Sequence, residues 1–411
     1  MFTSFSTALS ALGAHATAVD VVGNNLANLN TPGFKASTVS FYDLVTQSLG
    51  AGLGETQVGF GVGRPVTLRQ FSQGAIQASN GPLDAAIQGD GFFVVRDNAG
   101  ATLYTRGGNL QVDRSGALLT ATGERVQGWN EVNGVLNTSG PVVDIAIPVG
   151  TLKAPIATQY FSFDVNLNAA GATGDVFSTA IEVFDTLGTP HTVTVQFTKD
   201  AALNTWNYSM TVPAADVTSP ITPVTGSLTF DTLGNLTTPA STDPMPSITL
   251  AGLISGASDL TVNWQLYDGL AARFTQFAQP SAISANAQDG SPAAQLVRVG
   301  LADGGQVLAQ YSNGQQIVIG QIAMAAIRNP ESLLAVGNNN FQVSARTALP
   351  AVGLPGTGGR GSVIGGAVEY STVDIAKEFT QLIVLQRGYQ ANTRVVTTVD
   401  ELSQETINLK R

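Results

Sequence analysis

The chain has 411 residues, a formal net charge of −10 and a pI of about 4.6. It has no cysteine, which excludes disulfides and thiolate metal sites. Its 19 Lys and Arg are scattered, so the basic stripe that phosphate contacts require is missing and no nucleic-acid partner is expected. Hydrophobic residues make up 43%, which excludes a disordered chain. Charged residues are only 12%, about half the usual share. Polarity comes instead from Thr, Ser, Asn, Gln and Gly. Such surfaces can meet neighbours without stripping many charges of water; an extracellular β-rich monomer would have the same composition.

The opening stretch, MFTSFSTALSALGAHATAVD, carries no Lys or Arg and so lacks the charged region of a secretion signal. No apolar run approaches the ~18 residues of a membrane span, so no membrane insertion is expected. Residues 2–29 are predicted as a helix. Phe5, Leu9, Leu12, Ala16, Val19, Gly23 and Leu26 recur at alternating spacings of four and three, a heptad seam. Asn24, Asn25 and Asn28 then crowd its end, and Pro32-Gly33 stops it. From about 75 to 365 short β-like runs such as GFFVV, TVTVQF and WNYSMTV alternate with Gly, Asn, Asp and Pro, which suggests sandwiches or barrels rather than βαβ units. FDTLG occurs twice, at 184–188 and 230–234, too few copies for a solenoid. Val373 to Leu409 form a second helix, with Ser371 or Thr372 as its cap. Its apolar positions include Ile375, Phe379, Leu382, Ile383, Tyr389, Val395, Val399 and Leu402. Helices at both ends with β structure between them imply a path that goes out and returns.

Four ordered blocks then resemble the family of bacterial flagellar rod and hook axial proteins. They are GNNLANLNTPGFK from Gly23, NGPLDAAIQGDGFFVV from Asn80, YTRGGNLQVDRSGALLTATGERVQGW from Tyr104, and VEYSTVDIAKEFTQLIVLQRGYQANTRVVTTVDELSQETINL from Val368. The third block has Leu110 where the family usually has an aromatic residue. The last has Thr372 where the family often has Asn. Both swaps keep the structural role. The large middle insertion is similar to that of hook members rather than rod members.

The resemblance implies a multidomain α plus all-β fold with no cofactor and no enzymatic activity. Residues 1–30 and 371–411 are expected to form a coiled-coil-like inner domain, D0. Residues 76–145 and 283–370 would form a β domain, D1, and 146–282 a second, D2. Residues 31–75 would be a linker, with Pro32, Gly33, Gly52, Gly59 and Gly61 as hinge positions. The expected subunit interface uses Phe5, Leu9, Leu12, Val19, Asn24, Asn25, Leu26 and Asn28 on the first helix. On the last it uses Phe379, Leu382, Ile383, Gln386, Arg387, Tyr389, Asn392, Val399 and Leu402. The implied partners are further copies of the chain, the rod, the hook cap, the hook–filament junction protein and the export apparatus. The implied place is outside the cell, reached without a cleaved signal.

Other readings weigh less. His15 and His191 lack matched ligands. GTGGRG at 356–361 has no strand-to-helix setting for a dinucleotide and is expected as flexible connector. Asp84 and Asp90 as a hydrolytic pair would make a secreted β-rich enzyme; beside the turn before GFFVV they are expected to bond backbone amides. A surface adhesin using residues 146–282 is the remaining alternative.

Overall fold

The computed structural model describes residues 2–44, 46–49, 56–132 and 134–408. The chain is mostly β, with one long helix at each end. It divides into two compact units. One comprises Met1–Val149, Arg298–Gln310 and Gln316–Arg411, the other Gly150–Val297 and Tyr311–Gln315.

In the first unit, helix α1 spans Phe2–Ala27 and helix α2 Ile375–Asn408. The cap of α2 differs from expectation. Asp374 Oδ1 accepts from Ala376 N at 2.8 Å and Lys377 N at 3.1 Å, while the Thr372 hydroxyl accepts from Ala36 N. An aspartate there also places a negative charge at the positive end of the helix dipole. Outgoing and returning segments pair antiparallel twice, Ile76–Ala78 with Ala367–Glu369 and Ala85–Gln88 with Ser362–Gly365. The β core forms around Phe92–Arg96, whose first four residues are all buried. It pairs with Thr102–Thr105 on one side and with Arg125–Val132 and Met324–Ala326 on the other. Phe71, Phe92 and Phe341 meet edge-on at 5.3 to 6.0 Å.

The segment expected as linker is an antiparallel arm. Strand β1 (Ser37–Ser40) pairs with β4 (Val66–Arg69), a bridge joins Asp43 to Val62, and β2 (Thr46–Leu49) pairs with β3 (Thr56–Gly59). The arm lies on α1. Val62 N donates to Ser10 Oγ at 3.1 Å, and the Phe41 and His15 rings are 5.6 Å apart. The GTGGRG stretch is an ordered turn rather than slack chain. Arg360 folds back on it, donating to the carbonyls of Leu354 and Ala351 and to the Thr357 hydroxyl.

The second unit has two sheets around one core. Tyr160–Asn166 is central in the first, parallel to Leu260–Gln265 and antiparallel to Ala282–Gln288. Val176–Phe184, Pro190–Lys199, Thr205–Thr211, Val224–Phe230 and Leu236–Thr238 make the second, a meander. Alternation drives it: His191, Val193, Val195 and Phe197 are buried while the residues between them are half-buried or exposed. Trp264 is fully buried, stacked on Phe161 at 6.1 Å and edge-on to Tyr208 at 5.2 Å and Phe274 at 5.4 Å. Each such large side chain contributes roughly 1.5–3 kcal/mol by leaving water.

Candidate assembly interface

The terminal helices are locked in one register. Asn25 Nδ2 donates to Glu378 Oε1 at 3.2 Å. Ten residues earlier on α1, His15 lies against Gly388, ten residues later on α2. Equal steps in opposite directions mean an antiparallel pair without slippage. Gly388 makes the close approach possible: a Cβ there would stand 2.7 Å from the His15 ring. Further along, Ala18, Val22 and Leu385 form the buried seam, flanked by Val19, Leu26 and Leu382.

The seam is therefore rotated from the predicted heptad. The buried positions of α1 are Ala8, Ala14, Ala18, Val22 and Asn25, mostly small residues that let α2 come near. The predicted larger residues lie at its margin or outside it. Leu12, Val19 and Leu26 are half-buried, while Phe5 is 40% exposed and Leu9 56%. On α2, Leu382, Asn392 and Val399 are half-buried, whereas Gln386 and Arg387 are exposed. Phe379 is 51% exposed and Ile383 52%; Tyr389, Val395, Leu402 and Ile407 are also exposed. Ile375, Phe379 and Ile383 follow one another at intervals of four, so they form an apolar stripe that the described residues leave uncovered.

The asparagines divide. Asn25 is buried and fully used within the chain: it donates to Ser37 O at 2.8 Å and accepts from Ser37 N at 3.0 Å. It ties α1 to the arm and to Glu378 and is not free for a neighbour. Asn28 donates to Asn24 O at 2.9 Å and accepts from the Thr31 hydroxyl, which closes the helix end. Asn24 remains exposed. Asn392 Nδ2 bonds back to Gly388 O at 2.8 Å.

Pro32 and Gly33, expected in a hinge, sit in a fixed corner. Gly33 N donates to Glu369 O at 2.7 Å, and Pro32 O accepts from Asn339 Nδ2 at 3.0 Å. Gly61 lies against Thr7 and Ser10 of α1, and Gly59 ends β3. Gly52 is outside the described residues.

Two features were missed in the sequence. The first is a buried ion cluster at the corner. Lys35 Nζ is 2.6 Å from Glu369 Oε1, and Arg106 NH1 is 3.2 Å from Glu369 Oε2, with the three side chains at most 2% exposed. Ser72 O and Gly89 O accept from the two cations, and Gly74 N donates to Glu369. Burial pushes the Lys35 ammonium and the Arg106 guanidinium down from their ordinary values, against the pull of Glu369. Losing the carboxylate would leave two buried cations, a change of about 3–5 kcal/mol in such settings. The cluster joins the end of α1, the start of α2 and the β core at one point. Its only sequence trace was a lysine directly after Phe34. The second feature is the arm surface. Phe41, Tyr42, Leu44, Phe60, Val66 and Leu68 are all exposed. The alternation in VTLR was the available signal, hidden in a stretch read as linker.

Asp84 and Asp90 do not converge. Asp84 is buried and accepts from the Ser79 hydroxyl and the Asn109 amide, side chains rather than the expected backbone. Asp90 is exposed beyond the far end of Ala85–Gln88. The expectation that no stretch is long and apolar enough for a membrane span needs correction. Ser4–Ala27 is long and apolar enough to span a bilayer by length and composition, because its alanines, valines and leucines raise the mean hydropathy and Asp20 is its one charged residue, without an unbroken apolar run. The helix is instead engaged along one side by α2 and the arm.

Family models match along most of the chain. They are the flagellar basal body rod protein over residues 5–35, the flagellar hook protein FlgE/F/G D1 domain over 86–168, the flagellar basal body protein FlaE D2 domain over 152–291, and the flagellar basal body rod FlgEFG protein C-terminal over 364–409. The chain is 31% identical to the flagellar hook protein FlgE of Borreliella burgdorferi, with all of both chains covered. It is also 31% identical to the flagellar hook protein FlgE of Escherichia coli K12, covering 99% of this chain and 100% of that one. A crystal structure of Helicobacter pylori flagellar hook protein FlgE2 shares the fold at a TM-score of 0.52 and 14% identity, covering 70% of this chain and 99% of that one.

Proposed function

Because this chain belongs to the flagellar hook protein family, we propose that it works as a hook subunit whose paired terminal helices build the inner wall of a curved, flexible tube. The observation that carries this reading is the exposed apolar stripe of Ile375, Phe379 and Ile383, with Phe5 and Leu9 exposed towards the other end of the helix pair. Isolated helices of this kind are poorly stable in water, so further copies are the natural cover. A contact between unlike surfaces that does not close on itself generates a helical filament. The terminal helices correspond to D0, the β core of the first unit to D1 and the second unit to D2. On this reading the chain joins the rod to the filament outside the cell, meets the hook cap and junction protein, and leaves through the export apparatus, as the resemblance implies.

Small polar side chains between subunits suit a joint that bends while it turns, because sliding them displaces few charges. The family is structural, and the placement of Asp84 and Asp90 gives no support to a hydrolase. Electron microscopy of the full chain beside a chain lacking residues 1–30 and 371–411 tests the reading. Curved tubes are expected from the first, seeded or capped if necessary, and monomers from the second. Straight tubes would favour a rod role; tubes from the shortened chain would overturn the role given to the helices.

A further inference from the structure

A cleft of about 480 Å³ opens where α1 meets the β core. Amides and hydroxyls line it, among them Asn24, Asn28, Asn338 and Thr105, and Arg69 from the base of the arm stands in its wall. Arg69 is half-buried, with its guanidinium over the Phe341 ring at 5.0 Å. Burial pushes its pKa down, and among the described residues no carboxylate pairs with it. Glu124 is already held by four of the cleft's side chains, Thr120, Thr122, Asn338 and Asn340. The cleft thus offers hydrogen bonds and one unanswered positive charge.

The opposite end of the helix pair offers the complement. The antiparallel register brings the start of α1 level with Glu401, so the last turns of α2 run past their partner. At 1.5 Å per residue this overhang, from Leu402 to Asn408, is roughly 10 Å long. It exposes Leu402 at 50% and Ile407 at 71%, and its one charged residue is Glu405, with Lys410 and Arg411 following it in the sequence. Glu405 has no ion pair or hydrogen bond among the described residues. Cleft and overhang lie at opposite ends of one helix pair, so they cannot meet within a chain.

We propose that the cleft receives the overhanging end of α2 from a second copy of this chain, with Glu405 of that copy meeting Arg69. Copies stacked head to tail along the helix axis bring the two together. The contact joins unlike surfaces and repeats without closing, as filament growth requires. The carboxylate supplies the anion that Arg69 lacks, and the amides fix its orientation. The inference rests on the reading of the chain as a polymer subunit.

Engineered cysteines give a direct test, because the chain has none of its own. With Arg69→Cys and Glu405→Cys together, oxidised polymers should run as a ladder of covalent multimers; either change alone should give no ladder. No ladder, or dimers only, overturns head-to-tail docking. Charge reversal is the second arm. Arg69→Glu or Glu405→Arg alone should lower polymer yield about tenfold, and the two together should restore most of it. Single changes without effect, or a double change that does not rescue, overturn the pairing while unaltered wild-type tubes leave the polymer reading standing. Wild-type chain that forms no tubes removes that reading and this one with it.

Discussion

Asp185 and Asp231, the two aspartates of the repeated FDTLG, close the same hairpin turn. Asp185 Oδ1 accepts from Leu187 N and Thr189 N, both at 2.8 Å, and Gly188 follows with φ +84°. Asp231 does the same with Leu233 N and Asn235 N, both at 2.8 Å, before Gly234 at φ +83°. Asp97 and Asp113 build the turn again, with Gly100 and Gly116 at φ +89° and +86°. An aspartate that mimics a backbone acceptor, followed three residues later by a glycine free to adopt positive φ, is thus a local device used in both units. Only Asp185 is drawn into a larger cluster. It accepts from the Ser255 hydroxyl at 2.6 Å, and His191 lies between it and Asp216, at 3.2 and 3.4 Å. Burial pushes the Asp185 carboxyl up, but the hydrogen bonds from Ser255, Thr189, His191 and Leu187 outweigh it and hold the pKa at about 2. A depressed pKa stabilises the fold above the ordinary carboxylate value of 3.8, and that contribution is lost as pH falls towards about 2. Urea unfolding of the second unit from pH 5 to pH 2 should show this loss. Ser255→Ala should move its midpoint to higher pH and lower stability at neutral pH by about 1 kcal/mol.

Among the elements, the two helices were legible to within two residues at each boundary, because Pro32-Gly33 ends one and an uninterrupted amphipathic run marks the other. Their contact was not. Period alone located Phe5, Leu9 and Leu12, the larger apolar residues, whereas the pairing uses the alanine side, where two backbones can approach. Gly388 shows the consequence. It reads as a weakness in a helix, yet it is the place where His15 fits. Gly388→Val should separate the helices and prevent tube formation, and Gly388→Ala should do so in part. Sedimentation of assembled polymer, with circular dichroism to confirm an intact β core, checks this. Normal polymers from Gly388→Val would mean that the helix pairing is dispensable. The arm was the element least visible, since its strands are four residues long and rich in Thr and Ser. Strand pairing between distant segments decides such stretches, and local preference does not.

At the scale of the whole molecule, the second unit has its own core of aromatic and aliphatic side chains. Replacing residues 150–297 by a short flexible segment should therefore leave the first unit folded and able to polymerise. Thermal unfolding and electron microscopy of that variant check it; loss of all tubes would show that the second unit is needed for assembly. The sequence by itself determined the two helices, the β texture between them, the outward and returning path, and the family. These depend on periodicity, on turn residues and on short runs of conformational preference, all encoded locally. Tertiary structure alone decided the rotated helix seam, the corner held by Lys35, Arg106 and Glu369, and the arm folded along α1. The reason is physical. A buried charge is tolerable only where its counter-charge arrives from a distant segment, and a close helix contact forms only where small residues from both ends of the chain coincide. Neither condition can be read from one stretch of residues.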